Sequence, residues 1–267
     1  MNFICVTCGS QFAESAEPPP RCPVCEDERE AVGWDGQRWT TLEELRRDHR
    51  AEIREEHPGL VGIGCEPGFA IGQRALLVRA PSGNVLWDCI SLLDDDIGSF
   101  VESAGGLAAI AISHPHYYSS MVEWSRAFGA PVVLHVDDRE WVMRPDESID
   151  FWEGETRELG PGLTLVRCGG HFPGATVLHW AAGAALLSGD TAHVVQDRRW
   201  VSFMSSYPNL IPLGGDEIRR IVAALEPFEF DRIYGAWWGR VVAEDGKNVV
   251  RRSAERYLRA IGAEASG

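Results

Sequence analysis

The sequence predicts a mixed α/β fold, a four-layer αββα sandwich, preceded by a small N-terminal four-cysteine metal knuckle. Two observations carry the sandwich. From about residue 60, short β-rich runs alternate with helical ones, and some of those runs pair as hairpins while others are joined through helices. A third observation carries the knuckle: the chain opens with CVTCGSQFAESAEPPPRCPVC, residues 5–25, which is two CxxC pairs with thirteen residues between them. Three segments follow from this reading. They are the knuckle over 1–30, a linker with an exposed helix over 31–59, and the sandwich domain over 60–267.

In the first segment each CxxC forms a tight turn whose thiolates point the same way. Cys5, Cys8, Cys22 and Cys25 then make a tetrahedral cage. So short a segment has almost no core of its own, and the metal supplies most of its folding energy. Zinc is the expected ion, and tetrahedral sulfur also suits a single iron. The pattern resembles rubredoxin, although rubredoxin knuckles sit farther apart. The role expected is a structural clip, or a surface through which a protein partner docks.

The second segment, TTLEELRRDHRAEIREEHPG (40–59), reads as one exposed helix. Thr41 and Glu44 form its capping box, Pro58 and Gly59 stop it, and His49 and His57 are solvated. In the third, ALLVRAP and NVLWDCI read as paired strands around Ser82-Gly83, LDDDIGSFVESAGG as a helix and LAAIAIS as a buried strand. SMVEWSRAFG is a helix with Met121, Trp124 and Phe128 on one face, and PVVLHVD is again a strand. LTLVRCG, TVLHWAA and ALLSGD are three strands in succession. DEIRRIVAALEPF is a helix, DRIYGAW a strand, and RRSAERYLRAIGA the closing helix.

A formal charge of −15, from 40 acidic and 25 basic residues, disfavours partners recognised through phosphate, so neither nucleic acid nor an anionic membrane is expected. The longest nearly apolar stretch, Ala175 to Leu187, is too short to span a bilayer and contains His179. MNFICVTCGS lacks the regions of a signal peptide, and seven cysteines, four of them in CxxC pairs, fit a reducing compartment. A cytoplasmic location is expected.

Four candidate ligands stand at the ends of strands, where side chains from different loops can converge. His114 and His116 follow LAAIAIS, His171 lies in CGGHFPGATVLHW, and Asp190 lies in LLSGDT. With His114-Pro115-His116, GGHFPGAT and LLSGDT in this order, residues 60–260 resemble the metallo-β-lactamase-fold hydrolases. The resemblance implies that His114, His116 and His171 form a first metal site and that Asp190 bridges two metals or orients a bound water. It also marks departures. The aspartate and histidine that complete the HxHxDH motif fall on Tyr118 and Ser119. The last histidine falls within Gly235-Ala236-Trp237-Trp238-Gly239. One metal site is kept and its neighbour is stripped.

The function expected is a mononuclear zinc hydrolase that cleaves a small ester, thioester, lactone or amide by metal-bound hydroxide. Zinc in such a site lowers the pKa of water from ~15.7 to about 7. Asp190 is the catalytic carboxylate, and Tyr118 donates to the oxyanion of the tetrahedral intermediate. Trp237, Trp238 and Arg240 line the substrate site, and the substrate is a small molecule. The alternative is a catalytically inactive protein of the same fold that binds a ligand or a protein. A third reading puts iron in the knuckle and makes the protein an electron carrier. His193, three residues after Asp190, is either a replacement ligand or a plain loop residue, and His135 and His179 are core histidines. Cys65, Cys89 and Cys168 are buried small residues without an adjacent base. The glycines of PLGGDEIRR open a helix and carry no nucleotide fingerprint.

Overall fold

The computed structural model describes residues 1–263. The last residues of the domain expected over 60–267 therefore lie outside the described ones. The chain divides into two compact units, Met1–Trp152 and Glu153–Gly267.

The first unit corrects the reading of residues 40–59. A helix forms, but it is short: α1 (Leu42–Asp48), opened by the expected Thr41/Glu44 capping box. Residues beyond it are β1 (Arg50–His57), antiparallel to β2 (Leu60–Glu66) across the two-residue turn Pro58-Gly59. Pro58-Gly59 is thus a hairpin turn, with Gly59 at φ 86°, and not a helix stop. β1 is the outermost strand of a seven-stranded sheet and carries charge on its open side. A charged edge strand has the composition of a solvated helix, and pairing with the apolar β2 decides between them. The boundary expected at residue 60 consequently cuts a hairpin.

The sheet continues in chain order through β3 (Ala75–Val78), β4 (Val85–Trp87), β5 (Ala109–Ala111), β6 (Val132–His135) and β7 (Ile149–Trp152). Pairing is antiparallel up to β4 and parallel from there on. β3 to β6 are buried at every position, which is why they read as unbroken apolar runs and not as alternation. Parallel neighbours need crossovers, and two of these are the predicted helices α2 (Asp95–Ser103) and α3 (Met121–Phe128). Asp94 caps α2 by accepting from the Ile97 amide at 2.9 Å. Trp124 anchors α3: it is fully buried and donates its indole N–H to the Ile90 carbonyl at 3.0 Å.

The second unit is a six-stranded sheet: β8 (Thr156–Gly160), β9 (Leu163–Arg167), β10 (Thr176–Trp180), β11 (Ala185–Gly189), β12 (Arg232–Gly235) and β13 (Val241–Val242). Only β11 and β12 run parallel, and α4 (Gly215–Leu225) is the helix of their crossover. Leu186 and Ile233 of the sheet pack with Ile218, Ile221 and Leu225 of α4. Val249, Val250 and Ala254 of α5 (Gly246–Ala260) complete that cluster. The closing helix begins earlier than its sequence suggests, at Gly246. Among the described residues no helix is long and apolar enough to cross a membrane.

Candidate metal centres

The four cysteines converge as their spacing predicts. Cys5 and Cys25 Sγ are 3.5 Å apart, Cys8 and Cys22 Sγ 3.7 Å, and all four lie within 4.8 Å of one another. The first pair is a tight loop: the Gly9 amide donates to the Cys5 carbonyl and the Cys5 amide to the Ser10 carbonyl. Gly9 has φ 81°, and a Cβ there would meet Ser91 Oγ at 2.7 Å, so only glycine fits. In the second pair, Pro23 starts a single helical turn that places Cys25 over Cys22. Contacts from Cys22, Cys25 and Cys8 lower the pKa of Cys5, and those from Cys22, Cys25 and Cys5 raise that of Cys8. Four buried sulfurs at such distances fit one tetrahedral cation. The Gln37 amide donates to Cys5 Sγ at 3.0 Å, an outer contact of the kind that supports a thiolate ligand.

The knuckle is not as bare as its sequence implies. Phe12, Trp39, Trp141 and Met143 pack on its cysteines and Val24. Trp141 and Met143 come from a part of the chain more than a hundred residues away, which local composition cannot reveal.

The second group forms at the strand ends. One ligand atom from each of His114, His116, His171 and Asp190 lies within 4.8 Å of the others, and all four residues are buried. In the first unit, β5 runs into a one-turn 3₁₀ helix, Pro115–Tyr117, that sets the two histidine rings 5.1 Å apart. Asp88 supports this turn from the end of β4. It is buried, takes φ 61°, and accepts the Ser113 amide at 2.8 Å. A non-glycine residue in that left-handed region is strained, and strain of this kind collects at sites. Ser113 Oγ is 2.8 Å from His114 Nδ1. Glu30 Oε1 is 3.7 Å from His116 Nδ1, with both side chains buried.

In the second unit, His171 Nδ1 lies 3.0 Å from the Met204 carbonyl. A carbonyl oxygen only accepts, so Nδ1 carries the proton and Nε2 is the basic nitrogen. Asp190, at the end of β11, has Oδ2 3.9 Å from His171 Nε2 and Oδ1 3.4 Å from His193 Nδ1. Tyr207 donates its hydroxyl to the Asp190 carbonyl at 3.1 Å and to Ser202 O at 3.0 Å. Burial, with the Asp190 charge beside it, pushes the Tyr207 pKa well up, so it stays a phenol donor. Three imidazoles, two of them hydrogen-bonded at Nδ1, and one carboxylate make a donor set that suits a divalent metal.

Tyr118, Ser119 and Ser120 each bond to backbone carbonyls in this structure, and for Tyr118 that bond competes with the oxyanion role expected of it. Its hydroxyl donates to the Asp138 carbonyl at 3.4 Å, and burial raises its pKa well above the usual phenol value. Ser119 Oγ takes the Gln73 amide at 3.1 Å and donates to Cys89 O at 3.3 Å, while Ser120 Oγ donates to Ser91 O at 2.9 Å. The two serine hydroxyls pin this loop through bonds to backbone carbonyls. Tyr118→Phe is therefore expected to leave any hydrolysis within about twofold of wild type, since oxyanion donors when removed cost ~10²–10³-fold. Steady-state kinetics of the variant check this.

The other candidates fall as follows. His193 is half-buried, its ring 4.3 Å from that of Tyr207 and 5.1 Å from that of Trp237. Trp237, Trp238 and Arg240 are half-buried in the tight turn between β12 and β13, closed by the Arg240 amide on the Trp237 carbonyl. His135 Nδ1 accepts the Asp137 amide at 3.2 Å and His179 Nε2 is 2.8 Å from Glu229 O, as buried core histidines require. Burial raises the thiols of Cys65 and Cys89 and pushes Cys168 up to about 12, so none of them is poised as a nucleophile. Sequence reasoning missed Glu30, Asp88, Ser113 and Tyr207. Of these only Asp88, an aspartate ending the run VLWD, leaves a signal in the sequence.

No protein-family model matches the chain. Among solved structures, the metallo-β-lactamase VMB-1 superposes with a TM-score of 0.61 at 11% identity, covering 79% of this chain and 98% of its own. The FIM-1 metallo-β-lactamase of Pseudomonas aeruginosa, in its mono-zinc form, gives 0.58 at 14% identity, covering 77% and 95%. Identities so low show the fold alone. The "Uncharacterized protein YmaE" of Bacillus subtilis (strain 168) is 48% identical over 268 residues, 98% of this chain and 97% of its own. The chain has the metallo-β-lactamase fold, carries a four-cysteine cluster and a His/His/His/Asp group, and belongs to the family of B. subtilis YmaE.

Proposed function

We propose that the protein is a mononuclear zinc hydrolase acting on a small ester, thioester, lactone or amide, with a second, structural zinc in the cysteine cluster. The observation that carries the reading is the convergence of His114, His116, His171 and Asp190 within 4.8 Å. A divalent cation bound by these residues polarises a substrate carbonyl and acidifies water near neutral pH.

The chain's own residues supply the rest. Met204 O bonds His171 at Nδ1 and Glu30 lies near Nδ1 of His116, which would leave Nε2 of each ring available to a cation. Asp190 receives the proton of the attacking water at Oδ1, leaving Oδ2 on the side of His171. His193 Nδ1, beside Oδ1 and half-buried, gives that proton a way out to solvent. Tyr207 fixes the Asp190 backbone. Trp237 and Trp238 offer apolar surface to the substrate, and Arg240 offers a partner for a substrate carboxylate. Four of the seven cysteines stand in the cluster, a usage that suits a reducing compartment, and we place the protein in the cytoplasm.

A panel of small esters, thioesters, lactones and amides, assayed with and without added zinc, tests this reading. Asp190→Asn is expected to lower turnover by ~10²–10⁴-fold, the range for loss of a general base. Absence of hydrolysis across the panel, with and without added zinc, would favour the second reading, an inactive binding module. That reading draws on the bonds that commit Tyr118, Ser119 and Ser120 to the backbone.

A further inference from the structure

Glu30 is a buried carboxylate beside one of the candidate metal ligands. It lies just past the second CxxC pair and is 8% exposed, and its own amide is tied back to the Asp27 carbonyl at 3.1 Å. An ionised carboxylate in such a place requires a partner, and His116 Nδ1 stands 3.7 Å from it. A carboxylate on the far nitrogen of a ligating imidazole fixes its tautomer and raises its basicity. The segment that presents Glu30 is held in shape by the cysteine cluster.

The same N-terminal segment grips the histidine loop at further points. The Gln11 amide donates to the Ser119 carbonyl at 3.0 Å, Ser91 Oγ donates to the Gly9 carbonyl at 2.8 Å, and Gln11 Nε2 reaches Glu123 at the start of α3 at 3.4 Å. Gly9 and Gln11 flank the first CxxC pair on one side as Glu30 flanks the second on the other. One end of the knuckle therefore reaches His116 itself, and the other is bonded to Ser119, two residues past the turn.

We propose that Glu30 is a positioning residue for His116, and that the cysteine-bound metal, by ordering the segment that carries Glu30, sets the metal affinity of the histidine centre. The inference rests on the metal-centre reading above. Loss of the cluster metal, by chelation or by oxidation of the thiols, would then empty the second centre as well, so the knuckle reports on metal supply to the hydrolase.

The test uses the full-length protein and cobalt(II) as the probe, because thiolate-bound and histidine-bound cobalt absorb at different wavelengths. Wild type is expected to take up one cobalt of each kind. Glu30→Ala is expected to keep the thiolate band and to bind the second cobalt ~10–100-fold more weakly. Glu30→Gln, whose side-chain carbonyl keeps an acceptor near Nδ1, is expected to recover most of that loss. Glu30→Ala with wild-type affinity for the second cobalt would overturn the positioning role while leaving the metal centre standing. Wild type that binds only thiolate cobalt would overturn the metal centre, and this inference with it. For the coupling, the cobalt-loaded protein is titrated with an organic mercurial. Loss of both spectra in one step supports it, and a histidine-bound spectrum that outlasts the thiolate spectrum overturns it.

Discussion

His116→Ala is expected to leave the protein folded, to remove one of its two metals, and to bring hydrolysis to background. The fold survives because the loop does not depend on the metal. The Ser113 amide is held by Asp88, and Ser119 and Ser120 donate to Cys89 and Ser91 carbonyls. The metal does not survive, since loss of an outer-shell partner alone costs ~10–100-fold in affinity, and a ligand costs more than its support. Removing the imidazole also takes away the ring nitrogen 3.7 Å from Glu30 Oε1. Elemental analysis and circular dichroism read the two effects separately. Retention of two metals by the variant would show that His116 is not a ligand.

Cys25→Ser is expected to have the largest effect on stability. Structural zinc contributes ~10–16 kcal/mol in isolated zinc-finger peptides, comparable with the ~5–15 kcal/mol by which whole domains are stable. Here the packing of Phe12, Trp39, Trp141 and Met143 on the cysteines shares the work, so the first unit is loosened and not erased. Arg21 gives a direct readout, because its side chain is 71% exposed while the next residue, Cys22, is fixed in the cluster. Trypsin should cut after Arg21 slowly in wild type and much faster in Cys25→Ser or after chelation. Equal rates in all three would mean that no metal holds the knuckle.

Much of this protein is legible in its sequence because its metal ligands are few, polar and placed at the ends of apolar runs. His114, His116, His171 and Asp190 each follow a run that became a strand end, and the two CxxC pairs define their cage by spacing alone. The helices α2 and α3 carry their own caps and faces and emerge as read. What was hidden depends on distant partners. Residues 50–57 look like a solvated helix until β2 is there to pair with them. Glu30 looks like one more surface acid in EDERE until the fold brings His116 against it. Tyr118 looks like a donor for a substrate until the Asp138 carbonyl takes its hydroxyl. Periodicity and motif report what a segment does alone, while edge strands and outer-shell contacts exist only in the folded chain.

The central claim is that the chain carries two metal centres of different kinds, one in the cysteine cluster and one at the histidines. Elemental analysis of wild-type protein, purified without added metal and then titrated with zinc, tests it most directly. Two zincs per chain, one of them lost in His116→Ala, is the result predicted. A single zinc that persists in His116→Ala and does not rise on titration would confine the metal to the cysteines and contradict the account.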